Sequence, residues 1–347
     1  MRNSEQPLPP RRTQFTLWQK LLAGVSIPIG LFFWVSILLG IFVAEPRNKA
    51  NYKAGHAAYE KADCQTALPK LKLVVEAKKD AESGYGADAK REYDECTAYQ
   101  AGMDQQKAGK PAAALLAYSN FAQSHNQSPL IKPAQTQVKD LVAKAKPNTL
   151  ASPELCEKID QLSQQTLVPE PAKNLPPLYL ACGDQYATAK NYDRATQMYD
   201  TVLKTYKQHP VAKQANANLA KVLIDQAATT QAGEIPLPPN TGSSGSDLAA
   251  VKVQNSSPSG MRIAFTGTES RVEEIEPCKD CIKYTEENVP PSCPDQGISK
   301  TYNLKPGTYK ILVLSNDGSR VTPYKGTWDL QSGGLYDNCF YIVTRKQ

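Results

Sequence analysis

The stretch from Gly183 to Tyr199 reads GDQYATAKNYDRATQMY and holds the clearest pattern of this 347-residue chain. Gly183 is followed after twelve residues by Ala195, and then at helical spacing by Tyr199 and Val202. A small residue on each of two helices lets them approach closely, and the larger residues fill the space toward the next pair. The stretch therefore predicts a helical hairpin.

The same order of two small and two large residues occurs twice more upstream, as Gly55, Ala67, Leu71, Val74 and as Gly102, Ala114, Tyr118, Phe121. This spacing resembles the tetratricopeptide repeat (TPR), a helix-turn-helix unit of about 34 residues. The third copy and its continuation over 206–215 are similar to repeats of bacterial envelope proteins. The resemblance implies an all-α repeat domain over 47–229, with an additional hairpin near 130–146 and 152–166 and a final helix over 210–229.

An apolar segment near the N-terminus carries no charge from Leu21 to Ala44. As a helix, these 24 residues would be about 36 Å long, enough to cross a hydrocarbon core of about 30 Å. We expect a transmembrane anchor over 17–44 that contacts the membrane through residues 21–44, after a disordered cytoplasmic arm over 1–16. A cleaved signal peptide is the alternative, but its apolar region is usually shorter.

All eight cysteines lie after this apolar segment, in an even number and in pairs that are close in sequence. That usage is typical of an oxidising compartment. We therefore expect a single-pass membrane protein with a cytoplasmic N-terminus and its bulk in the periplasm or another extracytoplasmic space.

The sequence pattern changes after the helical region. Residues 230–248 are rich in Pro, Gly and Ser, which predicts a linker. Over 249–347 short runs such as YKILVL, residues 309–314, are bounded by turn signals and predict strands. The expected fold class is an α+β multidomain chain with a single transmembrane helix, an all-α TPR-like repeat domain and a small β-sandwich-like domain at the C-terminus.

The cysteines predict structural disulfides. Since consecutive hairpins stack, we expect two bridges in the helical region, Cys64–Cys96 and Cys156–Cys182. In the β domain we expect Cys281–Cys293 across a short loop and Cys278–Cys339 to the last strand. A structural zinc site formed by these four cysteines and a redox-active Cys278/Cys281 pair are the alternatives.

Residues that could support catalysis are sparse. The three histidines are far apart in sequence, and no zinc-protease, serine-hydrolase or phosphate-loop motif occurs. The net charge of +6 is spread among acidic residues, which does not indicate a nucleic-acid surface. We therefore expect no enzyme, cofactor, metal, nucleic-acid partner or small-molecule substrate.

The repeat resemblance implies a groove on the first helices of the hairpins that holds a protein partner. The corresponding positions carry aromatic and polar side chains and lack a cationic clamp for a peptide carboxylate; they are Tyr52, His56, Tyr59, Tyr99, Met103 and Lys107. The expected function is a scaffold or assembly factor for an envelope or lumenal complex. The alternatives are a glycan-binding β domain that uses Trp328 or Tyr336, and thiol–disulfide exchange at Cys278/Cys281.

Overall fold

The computed structural model describes residues 47–77, 84–164, 167–230, 232–285, 287–316 and 321–344. They belong to two compact units. The first contains the described residues up to Gln100 together with Ser128–Leu130, and the second contains Ala101–Gln127 and the described chain from Ile131 onward. The first unit consists of helices and turns, whereas the second holds both helices and β-sheets.

The helices occupy the N-terminal two thirds of the described chain. In order they are α1 (47–59), α2 (Cys64–Glu76), α3 (Gly84–Lys107), α4 (Pro111–Ser124), α5 (Ile131–Lys144), α6 (Pro147–Leu150), α7 (Pro153–Glu157), α8 (Ile159–Gln164), α9 (Pro171–Thr188), α10 (Tyr192–Thr205) and α11 (Ala212–Ala228).

Each repeat glycine packs against a large side chain sixteen residues later, and the three pairs are Gly55–Leu71, Gly102–Tyr118 and Gly183–Tyr199. A Cβ atom added to Gly183 would lie only 2.4 Å from the Tyr199 ring. The alanines twelve residues after each glycine are fully buried; they are Ala67, Ala114 and Ala195. Glycine is therefore needed on the first helix of a hairpin chiefly to admit a side chain of the second.

The turns inside the hairpins repeat as well. The residue seven positions after each repeat glycine has a positive φ angle, with values of 58° at Ala62, 70° at Gly109 and 59° at Lys190. In two copies the next residue, Asp63 or Asn191, accepts a hydrogen bond from the backbone N–H three residues later and so caps the second helix. The three copies thus share their turn geometry as well as their packing.

The long interval between the second and third copies differs from the prediction. The helix expected over 130–146 corresponds to α5, but the one expected over 152–166 is divided into α7 and α8. Proline stands at the start of both α6 and α7, where its missing N–H is tolerated and a new helix begins. The interval therefore contains several short helices instead of a regular hairpin.

The C-terminal third forms two larger sheets and a two-stranded one. The strands are β1 (Gly233–Glu234), β2 (Asn240–Ser243), β3 (Ala249–Asn255), β4 (Met261–Thr266), β5 (Ser270–Ile275), β6 (Tyr284–Thr285), β7 (Ile298–Leu304), β8 (Gly307–Ser315), β9 (Tyr324–Leu330), β10 (Gly334–Phe340) and β11 (Val343–Thr344). The sheet orders are β1-β9-β8-β4-β5, β2-β10-β3-β7 and β11-β6. Both larger sheets are mixed, because β1–β9 and β3–β10 are parallel pairs.

The two larger sheets contribute to one apolar core. Val251 and Tyr336 come from the four-stranded sheet, while Phe265, Tyr309 and Trp328 come from the five-stranded sheet. Their neighbours along each strand point to the opposite faces, as the two-residue period of a strand requires.

Residues 230–248, predicted to be a linker, belong to the sheets. The segment supplies β1 to one sheet and β2 to the other, and Ile235 between them is buried in the core. The indole N–H of Trp328 donates to the carbonyl oxygen of Pro236 at 3.0 Å. The Pro and Gly residues therefore bend a chain that passes from one sheet to the other, and they do not separate two domains.

Within the second unit, α11 packs on β4, β5 and β8 of the five-stranded sheet. Arg262 on β4 is buried, and its guanidinium pairs with Asp200 on α10 at 3.1 Å and with Glu274 on β5 at 2.7 Å. The last hairpin and the β domain thus share a packed interface with a buried cation bound on both sides.

The predicted fold class needs correction. None of the helices in the described residues is both long and apolar enough to cross a membrane. The structure has helices followed by mixed sheets and gives no support to the single transmembrane helix of the predicted class. The predicted arm, 1–16, and anchor, 17–44, lie outside the described residues.

Candidate functional site

Three of the six predicted groove residues lie on one face of α1, because Tyr52, His56 and Tyr59 are spaced four and three residues apart. That face meets the first part of α3. His56 Nδ1 lies 2.8 Å from Glu92 Oε1, and the Tyr59 hydroxyl donates to Glu95. Both contacts join residues 36 positions apart, so they connect corresponding faces of two successive first helices within the first unit.

Glu95 forms a closed polar network. It is buried, and it accepts hydrogen bonds from the hydroxyls of Tyr59 and Ser128, the second at 2.5 Å. Burial, together with the bond to this carboxylate, raises the pKa of Tyr59. Tyr59 therefore remains a neutral donor at any physiological pH, and the network has a structural role.

The burial of Glu92, which lies one turn before Glu95 on α3, costs more free energy. Only 1% of its surface is exposed, and its Oε2 atom has no hydrogen-bond partner among the described residues. Burial raises the pKa of Glu92, while the contact with His56 opposes that shift. His56 keeps 39% of its side chain exposed and also lies 3.5 Å from Glu60 on its own helix. The His56–Glu92 pair therefore extends from the interior of the first unit to solvent.

The predicted groove residues are not equally available. Tyr59 and Tyr99 are 3% and 2% exposed, so the prediction that they bind a partner is wrong: burial of their rings makes them core residues. Tyr52 and His56 are half-buried in the first unit, while Met103 is half-buried and Lys107 exposed in the second unit. Four of the six positions thus keep accessible surface.

The sequence interpretation did not single out Glu92 and Glu95. Both lie in the charged run KREYDE, residues 90–95, which reads as a solvated helix surface. The repeat spacing gave no signal for them, because Gly55 and Gly102 are 47 residues apart whereas these contacts join residues 36 positions apart. A buried carboxylate cannot be recognised from composition alone, because its environment comes from the neighbouring helix.

All eight cysteines form disulfides. The two expected bridges of the helical region are present, with Cα–Cα distances of 5.2 Å for Cys64–Cys96 and 5.5 Å for Cys156–Cys182. A chain with four disulfides belongs to an oxidising, extracytoplasmic compartment.

The pairing expected in the β domain is wrong. Instead of Cys281–Cys293 and Cys278–Cys339, the bridges are Cys278–Cys281 and Cys293–Cys339. The first pair is closed by a turn in which the N–H of Cys281 donates to the carbonyl of Cys278. Cys339 follows the core residue Tyr336 by three positions on β10, so it lies on the outer face of the sheet, beside the loop that carries Cys293.

These pairings bear on the zinc and glycan alternatives. Zinc binds cysteine as a thiolate, so four bridged cysteines do not supply the tetrahedral site of the zinc alternative. In the described part of the chain, no group of three or more His, Cys, Asp or Glu residues is arranged to hold a metal ion. Trp328 and Tyr336, the proposed glycan-stacking residues, are 0% and 2% exposed and cannot stack on a ligand.

The sequence matches no protein-family profile, and comparison with curated proteins gives no significant match. The geometry of the described residues is therefore the basis for the functional argument.

Proposed function

We propose that the chain is an extracytoplasmic scaffold, of a TPR-like architecture, that binds a protein partner through the first helices of its hairpins. The observation that carries this proposal is the direct side-chain contact between successive first helices within each compact unit. His56 contacts Glu92 after 36 residues, and Asp184 accepts from Asn218 after 34 residues, at 2.7 Å. Such contacts place neighbouring first helices side by side, and repeat proteins use the surface of these helices for binding.

The positions proposed to contact the partner are those with exposed surface. Lys107 is exposed, and Tyr52, His56 and Met103 are half-buried. A half-buried aromatic ring offers apolar contact area with little loss of side-chain freedom, which suits a protein interface. These four side chains do not form a cationic clamp for a terminal carboxylate, and their aromatic and apolar surface favours an extended segment or a helix of another protein.

Site-specific photocrosslinking in intact cells tests the proposal. A crosslinking amino acid placed at Tyr52 in the first unit, or at Lys107 in the second, should yield a discrete protein adduct at each position. The matched control is Lys310, an exposed lysine on β8 of the β domain, which should yield no such adduct. Identical adducts from all three positions, or none from Tyr52 and Lys107, would contradict the scaffold proposal.

A further inference from the structure

The outer face of the four-stranded sheet holds a polar cleft that the scaffold proposal does not use. It has a volume of about 370 Å³ and is lined mainly by side chains of β3 and β10 and by the residues that follow β10. The strand register puts Asp337 next to Lys252, and Lys252 next to Thr301 on β7. One row of polar side chains therefore crosses three neighbouring strands.

One wall of the cleft is fixed by the loop that precedes β7. The Cys293–Cys339 bridge ties this loop to β10. The side-chain amide of Gln254 donates to the carbonyl oxygen of Pro294 at 2.6 Å, and the Tyr341 hydroxyl donates to that of Pro290 at 3.5 Å. Covalent and hydrogen-bonded restraints thus hold the cleft open in one shape before any ligand arrives, which lowers the entropic cost of binding.

Two charged side chains of the cleft have unused bonding capacity. Lys252 is exposed and makes neither a hydrogen bond nor an ion pair within the described residues, although Asp337 is its register neighbour. Asp337 accepts from Thr241 at 2.8 Å through one oxygen, while its Oδ1 atom is buried without a partner among the described residues. A ligand that accepts from the Lys252 ammonium group and donates to the more exposed Oδ2 atom of Asp337 would bind both side chains.

The aromatic side chain of the cleft is held in a defined orientation. The rings of Tyr341 and Tyr284 meet edge to face, with centroids 5.3 Å apart and an interplanar angle of 72°. An aromatic ring gives an apolar surface with a polar rim, and beside hydroxyl-binding groups this suits the flat C–H face of a sugar ring. A purely apolar ligand would instead desolvate Lys252 and Asp337 without compensation.

From this cleft we infer a carbohydrate-binding site for one or two sugar rings on the outer face of the four-stranded sheet. Lys252 and Asp337 bind ligand hydroxyl or carboxyl groups, and Tyr341 stacks on a ring. The site is unrelated to the buried Trp328 and Tyr336, and it does not depend on the helical scaffold. It gives the β domain a ligand of its own, of a class found outside the cytoplasm.

The test is an NMR titration of the purified chain with three disaccharides: cellobiose, chitobiose and digalacturonate. At least one should bind, and Lys252→Ala should weaken that binding about tenfold or more, since a hydrogen bond to a charged group contributes about 1.5–3 kcal/mol. Tyr341→Ala should weaken it as well. The matched control is Lys310→Ala, which removes an exposed lysine from the other sheet and should leave the affinity unchanged.

Three results would overturn the assignment. The first is that none of the three disaccharides binds at about 10 mM, a concentration above the Kd of a ligand that binds with millimolar affinity. The second is equal binding by the wild type, Lys252→Ala and Tyr341→Ala. The third is a short peptide that binds the same cleft more tightly than every sugar, which would assign the face to a protein segment. None of these results bears on the photocrosslinking test of the helical groove.

Discussion

The side-chain amide of Asn216 forms both hydrogen bonds that a neighbouring strand would make with Val272. Its Nδ2 donates to the carbonyl oxygen of Val272 at 3.0 Å, and its Oδ1 accepts from the N–H at 2.5 Å. Val272 lies on β5, an edge strand of the five-stranded sheet. The unpaired backbone N–H and C=O groups of an edge strand can pair with strands of other chains. The last helix therefore closes this part of the edge with one residue and fixes its own position on the sheet.

We expect Asn216→Ala to destabilise the chain by about 1–3 kcal/mol, because two partly buried backbone groups lose their partner. Gln214→Ala removes an exposed amide from the same helix and should change the free energy of unfolding by less than about 0.5 kcal/mol. Urea unfolding of both variants measures the difference. Equal losses would mean that the Asn216 bonds add nothing beyond helix propensity.

The repeat glycines predict a change in stability whose sign distinguishes the effect of packing from that of helix propensity. In an exposed helix, Gly→Ala stabilises by about 1 kcal/mol through helix propensity. At Gly183 the new methyl group would lie 2.4 Å from the ring of Tyr199, whose hydroxyl is held by Asp184 at 2.7 Å. We therefore expect Gly183→Ala to destabilise by about 1–3 kcal/mol through overpacking.

The origin of that loss can be tested with a double-mutant cycle. Combining Gly183→Ala with Tyr199→Ala should cost less than the sum of the two single losses, because removal of the ring leaves room for the methyl group. Thermal unfolding of the two single variants and the double variant gives the coupling energy. A stabilising Gly183→Ala would show that the ring moves aside at little cost.

The repeat hairpins could be predicted because the information is local. Gly183 and Tyr199 are sixteen residues apart, and a helix period is sufficient to place them together. The same reasoning located the Cys64–Cys96 and Cys156–Cys182 bridges.

The β domain was harder to predict, since its pairing is not local. β3 lies between β7 and β10, and β1 joins β9, so neighbours in the sheets are distant in sequence. The composition of residues 230–248 does not distinguish a linker between two domains from a segment that forms edge strands. The Cys278–Cys281 bridge was not predicted for a similar reason. The partner of Cys339 depends on which loop lies against β10, and the alternation of side chains along a strand does not identify that loop.

The buried Glu92 predicts a pH dependence of stability. Burial raises the folded-state pKa of Glu92 above its ordinary value of 4.5. The favourable contribution of the protonated carboxyl is then complete below about pH 4.5 and is lost as the pH rises through the folded-state pKa. Glu92→Gln stays neutral throughout, so the wild type should lose stability relative to this variant as the pH rises from 4.5 toward 7.

Urea unfolding of the two proteins at several pH values measures the effect. The control is Glu60→Gln, which changes the other carboxylate near His56, one with a side chain that is 65% exposed. Its stability should follow that of the wild type, because an exposed carboxylate is solvated by water in both the folded and the unfolded chain. Parallel curves for wild type and Glu92→Gln would show that Glu92 is charged in the fold and fully compensated by His56.

The two bridges of the β domain should differ in what they contribute. In the chain-entropy description the stabilisation grows with the loop that a disulfide closes. Cys293–Cys339 joins residues 46 positions apart, and Cys278–Cys281 joins residues only 3 apart. Replacing both cysteines by serine should therefore cost about 4 kcal/mol for the first bridge and about 2 kcal/mol for the second.

Alkylation of the wild-type chain in thiol buffers separates a structural role of Cys278–Cys281 from a redox role. If both bridges are structural, gentle thiol buffers should leave all eight cysteines closed to alkylation, and denaturation should be needed to open any of them. Selective labelling of Cys278 or Cys281 in the folded chain, with the other six protected, would instead show a pair that exchanges with solution thiols. Peptide mass spectrometry after alkylation reads out each cysteine separately. Since the short loop holds the smaller share of the stabilisation, opening it should lower the unfolding midpoint less than opening Cys293–Cys339, which would also release the wall of the polar cleft.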